Sequence, residues 1–132
     1  MQSKEELVTV HDQDSASPLG PYRVLDLTEG GMNWCGKVLA DLGADVIKVE
    51  PPGGSATRRR GPFHDGQVDP ERSLYWYAYC LNKRGITLDL ESREGWLLFK
   101  DLAAGADFVL ESFQPGYLSG LGIGYDTLSQ IN

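Results

Sequence analysis

Cysteine and histidine are scarce in this chain, with two of each in 132 residues. Cys35 and Cys80 form no C-x-x-C pair and are too few for a disulfide framework, which points to a reducing, cytoplasmic setting. His11 and His64 stand far apart and no H-E-x-x-H motif occurs, so no metal site is expected. The G-x-S-x-G elbow is missing too, which leaves serine-hydrolase chemistry without support. No apolar run approaches the ~20 residues that a membrane-spanning helix needs. The first residues, Met1-Gln2-Ser3-Lys4-Glu5-Glu6, lack the apolar centre of a secretory signal. Positive charge is in deficit as well: 12 Lys and Arg against 19 Asp and Glu give a formal charge of −7. That balance argues against a nucleic-acid binder, and it requires local basic groups to meet any anionic ligand.

What is present reads as one globular domain behind a polar leader. Residues 1–19 carry no sustained hydrophobic period and are expected to form a flexible leader. From residue 20 onward, β-rich and helical segments alternate. Tyr22 to Thr28 reads as a strand, and Trp34 to Leu42 as a helix stopped by Gly43. Asp45 to Glu50 reads as a buried strand, its Val46, Ile47 and Val49 suiting a sheet covered on both faces. Pro51 to Arg72 reads as a long loop and the aromatic run Ser73 to Leu81 as a helix, with a strand as the alternative. Ile86 to Leu90 is a third strand. Ser92 caps the clearest helix, which carries Trp96, Phe99, Leu102 and Ala103 on one face and ends at Gly105. Asp107 to Glu111 is a fourth strand, and short helical segments run to Ile131. This alternation predicts an α/β fold with a parallel sheet and right-handed crossovers. Ligands of such folds bind where the strands end. The alternation would continue with another strand after Asn132, so the chain is expected to be the front portion of a longer protein.

Several motifs carry more than one reading. Gly30-Gly31-Met32-Asn33-Trp34 lies between the first strand and helix, where backbone N–H groups attract anions. Glu50 follows about 20 residues on, where a dinucleotide site keeps its ribose acid, yet G-x-G-x-x-G is absent. A tight turn and a different anionic ligand both stay open. Arg58-Arg59-Arg60 is either a phosphate grip or a solvated charge run. Asn82-Lys83-Arg84 reads first as a polar turn and second as another basic site. Cys35 near a helix start is either helix packing or a reactive thiol. Asp26, Glu50, Asp89 and Glu111 sit at or near strand ends, and spacing does not choose a nucleophile or base among them.

Four blocks, in order, carry a resemblance. They are Val24-Leu25-Asp26-Leu27-Thr28; Leu39 to Gly54, reading LADLGADVIKVEPPGG; Asn82 to Leu90, reading NKRGITLDL; and Ala106 to Gly116, reading ADFVLESFQPG. Leu121 to Tyr125 and Leu128 to Asn132 also fit. From residue 20 onward the sequence resembles the class III CoA-transferases of the CaiB/BaiF type.

The resemblance implies a Rossmann-like parallel sheet with helices on both faces, here an incomplete large domain over residues 20–132. It implies coenzyme A or acyl-CoA as substrate, a carboxylic acid as its counterpart, no metal, and an interlinked homodimer at full length. The implied chemistry is CoA transfer through an aspartyl-CoA intermediate. The family's nucleophilic aspartate falls beyond Asn132, so no catalytic residue is assigned and the chain alone is expected to be inactive. The implied CoA contacts are Gly31 and Met32 near the reactive end. Leu88, Asp89, Leu90 and Glu91, with Ser112, Phe113 and Gln114, flank the adenine and phosphates. Arg58, with Arg59 and Arg60, stands in for a phosphate-binding Arg that several members carry where Gly120 sits. An acyl-CoA racemase and a non-catalytic CoA- or nucleotide-binding module are the alternatives.

Overall fold

The computed structural model describes residues 17–132, so most of the expected leader, including His11, lies outside the described residues. The chain forms strand β1 (Arg23–Asp26), helix α1 (Asn33–Asp41), β2 (Asp45–Glu50), α2 (Leu74–Cys80), β3 (Arg84–Thr87), α3 (Arg93–Ala103), β4 (Phe108–Leu110), α4 (Tyr117–Gly120) and α5 (Tyr125–Leu128). The four strands make one parallel sheet in the order β3-β2-β1-β4. Leu25 pairs with Ile47 on one side and Val109 on the other, and Val49 pairs with Ile86. The order reverses at β1, which sends the two halves of the chain to opposite sides of it and opens a crevice at the strand ends.

Strand alternation divides the core in two. Leu25, Leu27, Ile47 and Val49 face α3 and pack with Phe99, Ala103 and Ile123. Phe99 and Ile123 are fully buried, and each such side chain contributes about 1.5–3 kcal/mol. On the other face Val24 and Val46 meet Ala40 of α1 and the adjoining Ala44, with α2 packed beside α1. The helices therefore cover both faces, as expected.

Three boundaries differ from the sequence reading. The first strand is shorter, ending at Asp26. The third strand is Arg84–Thr87 instead of Ile86–Leu90. Leu88 N–H still donates to Glu50 O at 2.8 Å, but Asp89 Oδ1 then accepts from Glu91 N–H at 3.0 Å and turns the chain out of the sheet. The span Pro51 to Arg72 holds three 3₁₀ turns, Ala56–Arg59, His64–Gly66 and Pro70–Arg72. Ser55 and Asp69 cap the first and third through backbone N–H groups. The aromatic run is helical, with Ser73 Oγ accepting from Trp76 N–H at 3.0 Å. Ser92 caps α3 through Gly95 N–H at 3.0 Å, and Gly43 ends α1 at φ +97°.

Candidate functional site

The carboxyl ends of the strands enclose a cavity of about 430 Å³. Leu27, Val49 and Leu88 form its apolar floor. Pro51, Pro52 and Ala56 form one wall, Asp89, Leu90 and Glu91 a second, and Phe113 and Tyr117 a third. Glu29 and Glu50 complete the lining.

Local sequence builds each wall. The turn at Asp89 is locked from behind by α3: a Cβ on Gly95 would lie 1.8 Å from Asp89 O, so only glycine allows this approach. Phe113 N–H donates to Glu111 Oε2 at 2.6 Å, and Tyr117 N–H to Gln114 O at 3.0 Å. These bonds bring the Phe113 and Tyr117 rings to 4.7 Å, tilted by 38°. Tyr117 Oη donates to Glu91 Oε1 at 3.0 Å and bridges two walls. Desolvation and the Glu91 carboxylate raise the Tyr117 pKa, so its proton is retained at neutral pH.

The carboxylates of the lining are engaged. Arg58 holds Glu50 with a fork, Nε to Oε2 at 2.6 Å and Nη2 to Oε1 at 2.9 Å, and Ser55 N–H adds 2.9 Å to Oε2. Burial alone would push the Glu50 carboxyl up; Arg58 and Ser55 outweigh it and hold the group below its usual range. Arg58 also reaches Glu71 at 3.0 Å and stacks 4.0 Å over Trp76. Glu29 Oε2 accepts from Ser55 Oγ at 2.6 Å and Thr57 Oγ1 at 3.0 Å.

Beneath β1 and β2, on the α1 face, lies a buried ion cluster. Lys83 Nζ donates to Asp26 Oδ2 at 2.7 Å and to Asn33 O at 2.9 Å. Lys48 Nζ lies 3.8 Å from Asp26 Oδ1 and donates to Thr28 O. All three charged side chains are 0–1% exposed. Burial pulls the Lys48 ammonium below its usual pKa, and the Asp26 charge opposes it. Asp26 is thereby committed to structure, as are Glu50, Asp89 and Glu111 in the contacts above. Lys83 belongs to this cluster, and Arg84 pairs with Asp45 at 2.7 Å at the amino ends of β3 and β2, so Asn82-Lys83-Arg84 is a structural turn.

Of the residues marked from sequence, Leu88, Asp89, Leu90, Glu91 and Phe113 line the one cavity. Ser112 sits beside Phe113, its Oγ accepting from Glu29 N–H at 2.9 Å, and Gln114 is exposed at the start of the turn into α4. Arg58 stands behind the cavity wall through Glu50. Gly31 and Met32 line a separate shallow hollow of about 420 Å³ with Trp34, Cys35, Val38 and Leu39. Cys35 is an exposed free thiol. The sequence reading did not single out Glu29 or Tyr117. The only signal for Tyr117 was an aromatic four residues beyond Phe113, across the turn at Gly116. Among the described residues, no group of three or more His, Cys, Asp or Glu is placed to hold a metal. No helix among them is long and apolar enough to cross a membrane.

Residues 19–132 match the model of CoA-transferase family III. The chain is 44% identical over 111 residues to succinyl-CoA:(R)-benzylsuccinate CoA-transferase subunit BbsE of Thauera aromatica, covering 84% of this chain and 27% of that protein. It is 42% identical over 116 residues to succinyl-CoA–D-citramalate CoA-transferase of Chloroflexus aurantiacus, covering 87% and 28%. A crystal structure of a CaiB/BaiF family protein from Brucella suis superposes with a TM-score of 0.78 at 40% identity, over 88% of this chain and 31% of that one. The chain thus spans less than a third of the length of these relatives.

Proposed function

The chain belongs to CoA-transferase family III, and on that premise we propose that its cavity seats coenzyme A during transfer from an acyl-CoA to a carboxylic acid. The observation that carries this reading is convergence. Leu88, Asp89, Leu90, Glu91 and Phe113 come from two separate stretches of sequence and line one cavity at the carboxyl ends of a parallel sheet. The apolar floor and the tilted Phe113–Tyr117 pair suit a purine, which such rings hold by stacking. Glu29, Glu50, Asp89 and Glu91 line the same space, so the phosphates lie at its rim and not inside it. Arg59 is exposed next to the Pro51–Pro52 wall, its Nη2 donating to Gly53 O at 2.8 Å, and supplies the counter-charge. Ser112 and Gln114 flank the adenine end, and Gly31 and Met32 lie toward the thioester.

In the reaction, an aspartate from outside residues 1–132 attacks the thioester carbonyl and releases CoA thiolate, leaving a mixed anhydride. The thiolate attacks the aspartyl carbonyl of that anhydride and expels the donor acid. The aspartyl-CoA thioester then passes CoA to the acceptor acid through a second anhydride. The relatives' succinyl-CoA donors support a short dicarboxylic acyl donor here. A homodimer and a cytoplasmic setting accompany this reading.

The test has two parts. Equilibrium dialysis of labelled CoA against the 132-residue chain should give saturable binding, displaced by adenosine 3′,5′-bisphosphate; no saturable binding would overturn the cavity assignment. A protein of family length carrying this chain should exchange CoA between succinyl-CoA and carboxylic acids, with an intermediate trapped by hydroxylamine. Racemisation of a 2-methylacyl-CoA without exchange would overturn the transfer reading.

A further inference from the structure

The stretch Glu29–Asn33 buries little apolar surface: Gly30–Met32 contains no buried residue. What fixes it is polar, and much of that converges on one hydroxyl. Thr57, 4% exposed, stands on the 3₁₀ turn after β2, across from this loop. Its Oγ1 donates to Glu29 Oε2 at 3.0 Å. The same oxygen accepts from Gly30 N–H and from Asn33 Nδ2, each at 3.2 Å. One side chain thus engages three successive groups of the loop: a carboxylate, a backbone donor and a buried amide. Its own N–H is tied to Ser55 Oγ at 3.0 Å, and Ser55 Oγ reaches the same Glu29 oxygen at 2.6 Å. Arg58, the next residue, is fixed on Glu50 at the end of β2. The loop after β1 is therefore registered against the end of β2 through Thr57.

We propose that Thr57 is a positioning residue for the substrate: its buried hydroxyl sets Glu29 as a cavity wall and sets Gly30 and Asn33 beside it, and it acts on CoA through this loop without touching it. The proposal rests on the reading of the cavity as a CoA site. Residues at 55–58 carry no recognisable binding motif, and the sequence alone marked only the arginines there. Packing does not require a hydroxyl at this point, since valine fills the same volume. Its polar partners do: without the hydroxyl the buried Asn33 amide and the part-buried Gly30 N–H lose the acceptor given above, and Glu29 Oε2 keeps Ser55 Oγ alone.

The experiment compares Thr57→Val with Thr57→Ser in the 132-residue chain, by titration with CoA and by amide hydrogen exchange. Thr57→Val should weaken CoA binding about tenfold, the size of one lost charge-assisted bond. It should also speed exchange at Gly30, while the amides of Leu25 and Ile47 in the sheet keep their protection relative to the global unfolding rate. Thr57→Ser should restore both. CoA affinity unchanged in Thr57→Val, or an equal loss in Thr57→Ser, would overturn the role assigned to Thr57. A parent chain that binds no CoA would overturn the site reading itself, a result separable from the first because it appears before any substitution.

Discussion

The two faces of this sheet are built on opposite principles. Toward α3, Leu25, Leu27, Ile47 and Val49 meet Phe99 and Ile123 in an apolar core. Toward α1, the alternate residues begin as Val24 and Val46 but end as Asp26, Thr28, Lys48 and Glu50, all buried. Parallel strands covered on both sides are ordinarily apolar throughout. The exception is confined to the carboxyl half of β1 and β2, next to the cavity. Apolar packing is tolerant of sliding, whereas hydrogen-bonded charges fix distances and angles. The α3 face therefore supplies stability and the α1 face supplies registration. Lys83 pins Asn33, Lys48 pins Thr28, and Arg58 pins Glu50.

The largest expected effect is on the buried cluster. Asp26→Ala leaves Lys48 and Lys83 without their carboxylate and should cost about 3–5 kcal/mol in urea unfolding. Replacing Asp26, Lys48 and Lys83 together by apolar residues of similar volume sharpens the contrast. That variant should recover most of the stability, because the desolvation cost disappears with the charges. It should still expose the amides of Glu29–Asn33 to faster exchange. Recovery of loop protection along with stability would break the distinction between the faces.

A smaller effect is expected at the helix that covers the cluster. A Cβ on Gly36 would lie 2.2 Å from Asp26 Oδ2 and 3.1 Å from Lys83 Nζ. Gly36→Ala should therefore lower stability by about 1–3 kcal/mol, the range for overpacking, despite alanine's better helix propensity. A stabilised variant would show that α1 does not seat closely on the ions.

The smallest effect is a pH dependence at Glu50. Its folded pKa is below the ordinary value of 4.5. Its contribution to stability is then complete above the ordinary value and is lost as pH falls through the folded one. Glu50→Gln should flatten this acid limb, so the parent and variant unfolding midpoints converge as pH falls through the folded value. Parallel profiles for the two would detach Glu50 from acid stability.

The apolar face was legible in the sequence and the polar face was not. Strand β2 was readable because Val46, Ile47 and Val49 form an apolar run closed by Gly43 before and Pro51 after. Helix α3 was readable from Ser92 and the spacing of Trp96 and Phe99. Lys83 looked like part of a surface turn because nothing local shows that α1 and β1 bury it, 57 residues away from Asp26 in sequence. Arg58 looked like a phosphate grip, while its fork is held by Glu50 and Glu71. Five cavity residues were found through resemblance to the family's blocks. Thr57 and Tyr117 were missed because their roles depend on partners that only folding brings near. The third strand ends three residues early because the Asp89 turn interrupts an apolar pattern that runs on to Leu90.

The most direct test of the account is an amide NMR titration of the chain with CoA. Shifts should concentrate at Leu88–Glu91, Phe113, Tyr117 and Glu29–Met32, and saturate together. Shifts centred on Arg23, Asp45 and Arg84 at the other end of the sheet, or none at all, would contradict it.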